Sequence, residues 1–338
     1  MLIPGRLKDS PEDFRVEELP LYEPSGEGSH LYLRFTKTNL PTFIAVKNIA
    51  KALGVNERDV GVAGLKDKVG ITTQTISIPM PPKDASFVER ARALQLEGIT
   101  IESATPHGNK LRTGHLAGNR FEIVIRDVSP DHFEEVRSAF ARIAREGVPN
   151  AYGTQRFGRE GDNAAVALHW LTGKSPPPRD ARLRRLHWSS VQSAIFNEVL
   201  ERRVAAGTWR TPLLGDRLKK TDTGGVFLCT NVQEDSARAE RGEVCPTGPM
   251  VGVEMDKAEG EPGLLEAEVA AKTLGIGFDW AKTKALGEGA RRPLVLSVRD
   301  LTVDCREEDA SCKVYFVLPK GAYATTVLAN VFEASSPT

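Results

Sequence analysis

Apolar residues alternate with polar ones in short runs at both ends of this 338-residue chain, and the alternation lapses between them. Period two is the mark of a strand with one buried face. Phe14 and Val16 alternate with charged residues, and Leu31, Leu33 and Phe35 alternate with Tyr32 and Arg34. Residues 60–63 and 71–78 read as strands joined by a loop over 64–70. Phe121, Ile123 and Ile125 mark a further strand, and residues 294–298 and 314–318 bring the pattern back near the C-terminus. Helical spacing fills several gaps. Phe43, Val46, Ile49, Ala50 and Leu53 predict a helix with Pro41 in its first turn and Gly54 as its stop. Ser129-Pro130 opens a helix carrying Phe133, Val136, Phe140 and Ile143, with Gly147 as its stop. Residues 87–96 and 323–332 also predict helices.

The middle of the chain reads differently. Gly173-Lys174-Ser175-Pro176-Pro177-Pro178 has the composition of a linker. A long helix with Val191, Ile195, Phe196 and Val199 follows, and residues 219–289 are glycine-rich and irregular, with short strand-like pieces. Mixed α/β structure at both ends around a distinct middle predicts one domain inserted into another. Residues 1–175 and 293–338 form the outer domain and residues 176–292 the insertion, which agrees with two domains for this length.

Composition narrows the setting. Hydrophobic residues make up 40% and charged residues 27%, as in ordinary globular proteins. No apolar run has the length of a bilayer span, and the start MLIPGRLKDSPEDF lacks a signal-peptide core. The expectation is a cytoplasmic protein that does not engage membranes. Cys229, Cys245, Cys305 and Cys312 form no C-x-x-C pair, so buried free thiols in a reduced compartment are expected over a disulfide framework or a zinc site. The six histidines show no metal-ligand spacing, and no Walker or dinucleotide fingerprint occurs. Forty-five basic and 45 acidic residues cancel, whereas nucleic-acid binders are commonly basic. The charge is polarised, however: residues 182–220 are rich in Arg and Lys, and residues 234–268 are mostly acidic.

Two segments stand out. In residues 61–74 an acid, Asp67, lies between Lys66 and Lys68 in a glycine-flanked loop, followed by Thr72, Thr73 and Gln74. The cations favour an ionised carboxylate, the glycines permit close approach of a substrate, and the polar side chains offer hydrogen bonds. An ordinary hairpin turn with a surface ion pair fits the same residues. Residues 150–158 combine Asn150, Tyr152, Gln155, Arg156 and Phe157. Aromatic faces stack on bases, amides read base edges and arginine meets phosphate, while a packed loop fits equally well.

Residues 61–74 resemble the A-G-x-K-D-(K/R)-x-x-x-T-x-Q signature of the TruD family of pseudouridine synthases. Residues 150–158 resemble that family's N-x-F-G-x-Q-R-F-G motif, with Tyr152 where phenylalanine is usual. Residues 13–18, 26–32, Lys37-Thr38-Asn39 with Thr42, 118–121 and 318–328 are similar too, so the likeness runs almost end to end. It implies an α/β (α+β) protein: a catalytic domain with a mixed, mainly antiparallel sheet, plus an inserted α/β domain. It implies an isomerase that converts a uridine in RNA to pseudouridine, with tRNA as substrate and uridine 13 as the usual bacterial target. Asp67 becomes the catalytic carboxylate, and Tyr152, Asn150, Arg156, Gln155, Lys66, Phe14 and Glu17 become substrate-binding candidates. No cofactor and no metal are expected, since isomerisation oxidises nothing, and a monomer is expected. A non-catalytic RNA-binding protein on the same scaffold, a synthase acting on another RNA, and a nucleosidase using Asp67 are the competing readings.

Overall fold

The computed structural model describes residues 2–82, 84–158 and 160–335. Met1 and residues 336–338, the outer limits of the expected catalytic domain, lie outside the described residues. In chain order the elements are β1 (Ile3–Leu7), β2 (Phe14–Pro20), β3 (His30–Thr38), α1 (Thr42–Leu53), β4 (Gly61–Val62), β5 (Ile71–Pro79), α2 (Phe87–Arg92), β6 (Ile99–His107), β7 (Leu116–Arg126) and α3 (Phe133–Glu146). There follow β8 (Val148–Pro149), α4 (Asn163–Leu171), α5 (Ala181–Ala205), β9 (Arg217–Lys220), β10 (Val226–Leu228), α6 (Val232–Glu240), β11 (Val244–Met250) and α7 (Gly260–Leu274). The chain closes with β12 (Ala290–Pro293), β13 (Val295–Leu296), β14 (Arg299–Arg306), β15 (Ser311–Pro319), α8 (Ala324–Leu328) and β16 (Phe332–Ser335). The chain divides into two compact units. The first runs up to Glu146 and resumes at Ser297; the second is Gly147–Leu296. The proline-rich stretch 176–178 falls inside the second unit, between α4 and α5, whose apolar faces share one core.

The first unit is built on one mixed sheet of ten strands among the described residues, with the central order β14-β15-β7-β2-β5-β3-β6. The β2–β5 and β1–β16 pairs are parallel and the others antiparallel. One face of the sheet is apolar: Leu31, Leu33 and Phe35 of β3 and Ile76 and Ile78 of β5 pack with Ala45, Ile49 and Leu53 of α1 and Phe87 of α2. The helix α1 starts after Pro41 at φ −62° and stops at Gly54, whose φ of +69° suits glycine. On α3, Phe133, Val136, Phe140 and Ile143 are buried at helical spacing, and Gly147 follows at φ +69°. The strand β5 is shared along one edge. Its first residues pair with β2 and its last with β4, so the 63–70 loop between β4 and β5 returns to the start of β5 beside β2.

Local patterning misjudges the chain ends. Residues 323–332 form only the short helix α8. The backbone of Phe332 onward instead pairs with β1, a long-range contact that no local periodicity signals. The helix over 87–96 stops at Arg92, and the strand over 294–298 shortens to β13.

In the second unit, Trp188, Val191, Ile195 and Val199 of α5 pack with Ala167 and Leu171 of α4 and with Val269, Ala270 and Leu274 of α7. A four-stranded sheet of order β10-β9-β11-β12 and the small pair β13–β8 complete it. Its polar interior is held by ion pairs: Arg203 with Asp216 at 2.8 Å and Arg291 with Glu266 at 2.6 Å, all four side chains buried. All four cysteines are free thiols, Cys229 and Cys312 buried and Cys245 and Cys305 half-buried.

Candidate active site

The loop bearing Asp67 is tied down at Lys66, Asp67 and Gly70 while the Asp67 carboxylate points outward, 51% exposed. The Lys66 amide donates to Thr42 Oγ1 at 3.0 Å, and that hydroxyl donates to Gln74 Oε1 at 3.1 Å. Lys37 Nζ donates to the main-chain oxygen of Asp67 at 2.8 Å. Asn39 holds Gly70 from two sides, its amide donating to the Gly70 carbonyl and its Oδ1 accepting the Gly70 amide, each at 3.0 Å. Gly70 has φ +115°, and a Cβ there would collide with the carbonyl oxygen of Phe14, so glycine is needed both for the turn and for the close approach of β2.

The flanking lysines do not serve Asp67 as the sequence predicts. Lys66 turns inward, its Nζ 2.5 Å from Glu18 Oε2, with the two side chains 6% and 3% exposed. Lys68 stays exposed. The cation at the Asp67 carboxylate comes from far away in sequence: Lys8 Nζ lies 3.5 Å from Asp67 Oδ2 and 4.0 Å from the centroid of the Phe14 ring. Lys8 adopts φ +59°, a left-handed conformation that costs a lysine roughly 1–2 kcal/mol. Strain of that kind concentrates where a side chain must be aimed. Phe14 itself is buried, edge-on to Phe121. It therefore forms the floor beneath Lys8.

Glu17 lies on the opposite face of β2. Strand alternation sends Glu18 toward Lys66 and Thr75, and Glu17 toward Arg34 at 2.7 Å and Arg120 at 2.6 Å. The structure thus brings Asp67, Lys66 and Phe14 together, adds Lys8, Lys37, Glu18 and Thr42, and leaves Glu17 across the sheet. Within the sequence motifs, Glu18, Lys37 and Thr42 carried a signal; Lys8 carried none.

In the second unit, residues 150–156 form a second constellation. Asn150 is 7% exposed. Its Nδ2 donates to the Pro293 carbonyl at 2.9 Å, and its Oδ1 accepts from Arg292 at 2.6 Å. Asn197 of α5 clamps the Tyr152 main chain on both sides, accepting its amide at 2.8 Å and donating to its carbonyl at 2.9 Å. The Tyr152 ring meets Phe196 edge-on and carries the Arg292 guanidinium 3.9 Å and the Arg156 guanidinium 5.2 Å from its centroid. Its hydroxyl donates weakly to Met250 Sδ at 3.6 Å. Arg156 is anchored by Ser193 Oγ at 3.1 Å, and Gln155 is exposed. Much of the basic stretch 182–220 is consumed internally. Arg203 pairs with Asp216, Arg202 with Glu198 and Glu268, and Arg217 donates to the Lys257 carbonyl.

A mixed, mainly antiparallel sheet with a carboxylate loop at the start of a central strand, interrupted by a second α/β unit, defines an architecture shared with known structures. A crystal structure of a Methanosarcina mazei protein assigned to TruD superposes with a TM-score of 0.80 at 25% identity, covering 98% of this chain and 94% of that one. The family model for tRNA pseudouridine synthase D (TruD) matches residues 2–175 and 179–331. A tRNA pseudouridine synthase D from Anaeromyxobacter sp. is 42% identical, covering 98% of this chain and 93% of that protein; one from Thermus thermophilus is 39% identical, covering 98% and 90%. This chain belongs to the TruD family. No helix among the described residues is long and apolar enough to cross a membrane.

Proposed function

We propose that this protein isomerises a uridine of tRNA, at position 13, to pseudouridine, with Asp67 as the catalytic carboxylate. The observation that carries the reading is the carboxylate itself: half-exposed and paired with Lys8, on a loop whose main chain is fastened at Lys66, Asp67 and Gly70. A turn with only a structural role has no need of a strained lysine aimed at its one outward acid.

The reaction breaks the bond from C1′ to N1, turns the uracil and joins C1′ to C5, so the hydrogen at C5 leaves as a proton while N1, freed from the sugar, takes one up. Atoms and electrons balance without a redox partner. The carboxylate serves the sugar as in glycoside cleavage, by attack at C1′ or by removal of the C2′ proton. The uridine must first leave its stack, at a cost of roughly a few kcal/mol. Asn150, Tyr152, Gln155 and Arg156 of the second unit are assigned to RNA binding, Tyr152 through a ring that stacks on a base and Arg156 through phosphate. Lys66 and Phe14 are assigned to substrate binding on the Asp67 loop's own unit. Glu17, across the sheet, contributes through Arg34 and Arg120 or contacts RNA separately. The enzyme works as a cytoplasmic monomer without cofactor or metal. Its domains are divided near residues 175 and 293 or at the compact-unit limits. The test is release of tritium from tRNA carrying [5-³H]uridine. Asp67-dependent release supports the reading. Tight RNA binding with no release favours a binding protein, and turnover of free uridine favours a nucleosidase.

A further inference from the structure

Lys37 is fully buried on β3, on the face shared with Leu31, Leu33 and Phe35. An apolar residue there would continue the core. Burying an ammonium is expensive unless it is paired and hydrogen-bonded, and this one reaches a neutral acceptor, the main-chain oxygen of Asp67, at 2.8 Å. Across the ladder it faces Thr72 of β5 and Ile99 of β6, neither of them charged. The Thr72 hydroxyl is itself buried without a hydrogen-bond partner among the described residues. The charged groups acting on Lys37 are Asp67 and Lys66 of the loop above. The loop is otherwise held at Lys66 by Thr42 and at Gly70 by Asn39. Without Lys37 the peptide that carries the Asp67 side chain would be the unfastened point between them.

We propose that Lys37 is a positioning residue for Asp67, its buried ammonium fixing the Asp67 main chain so that the carboxylate is held in its productive orientation. The inference rests on the reading of Asp67 as the catalytic group and deepens it. A neutral amine would donate a weaker bond and bring no positive charge beneath the loop, so turnover requires the protonated form. Burial pulls the Lys37 pKa down to about 8, with Asp67 opposing and Lys66 reinforcing the shift. That places the loss of the charge inside the range an enzyme assay can scan.

The experiment measures tritium release under single-turnover and steady-state conditions from pH 6.5 to 9.5, with circular dichroism on every sample. It compares the wild type, Lys37→Met and Asp67→Ala. The wild type is expected to lose activity with one proton at a midpoint of about 8. Lys37→Met is expected to lack that limb, with kcat roughly 10- to 100-fold lower and KM within about two-fold, as for a misplaced rather than a missing group. A folded Lys37→Met protein with wild-type kcat and an unchanged alkaline limb overturns the proposal. If that variant does not fold, the wild-type profile decides alone, and a flat profile through pH 9 overturns it. Full activity of Asp67→Ala would instead sink the reading of the site on which the inference stands.

Discussion

Glu18→Gln should destabilise the protein by about 3–5 kcal/mol without removing any apolar contact. Glu18 and Lys66 are 3% and 6% exposed and their charged atoms stand 2.5 Å apart. At an effective dielectric of about 20, unit charges with centres ~3.5 Å apart attract by about 5 kcal/mol, which offsets much of the cost of taking both ions out of water. The amide keeps an acceptor for the Thr75 amide, now 3.2 Å from Glu18 Oε1, but presents neutral dipoles to a buried ammonium. Removing one partner of such a pair strands the other, which is the source of the 3–5 kcal/mol. Removing both should be far milder, so Glu18→Gln combined with Lys66→Met should recover most of the loss. Guanidinium unfolding at pH 7, followed by far-UV circular dichroism, would show the midpoint fall at an unchanged slope. A loss below about 1 kcal/mol for the single variant, or no recovery in the double, would refute the claim that a desolvated ion pair anchors the Asp67 loop.

Three other outcomes follow from the same geometry. Gly70→Ala, at φ +115° and against the Phe14 carbonyl, should cost roughly 1–3 kcal/mol in the same unfolding assay, and a wild-type midpoint would contradict that placement. Because burial lowers the Lys37 pKa from 10.5 to about 8, the unfolded chain binds more protons between those values. Stability should therefore rise with pH across that window, by at most about 3 kcal/mol from this group; urea titrations at pH 7.5 and 10 should show the rise in the wild type and its absence in Lys37→Met. Tyr152→Phe removes only the weak bond to Met250, so folding stability should change by less than about 0.5 kcal/mol, whereas a large loss in thermal unfolding would assign the hydroxyl a role the structure does not give it.

Much of this architecture is legible in the residues. The strands β2, β3, β5, β7 and β15 alternate because one face is buried, and α1 and α3 stop where glycines at positive φ let them stop. The edge strand β6 was illegible because Ile99–His107 is largely polar and takes its conformation from pairing with β3. The fifteen-residue helix α7 was hidden by Gly260, Pro262 and Gly263 in its first turn, although proline is tolerated there. The choice between Glu17 and Glu18 needed the phase of the alternation as well as its presence. Lys8 could not be found from the residues around Asp67, since it stands at the far end of a sheet pairing and its positive φ leaves no mark in sequence.

The central claim, that Asp67 converts one uridine of tRNA to pseudouridine, is tested most directly by mapping. Unmodified tRNA transcripts are incubated with the wild type and with Asp67→Ala, without metal or cofactor, then labelled with carbodiimide and read by primer extension. The account predicts a single new stop at position 13 with the wild type and none with a variant that still folds and binds RNA. The same stop from Asp67→Ala, or no stop on any tRNA from a folded, RNA-binding wild type, would contradict it.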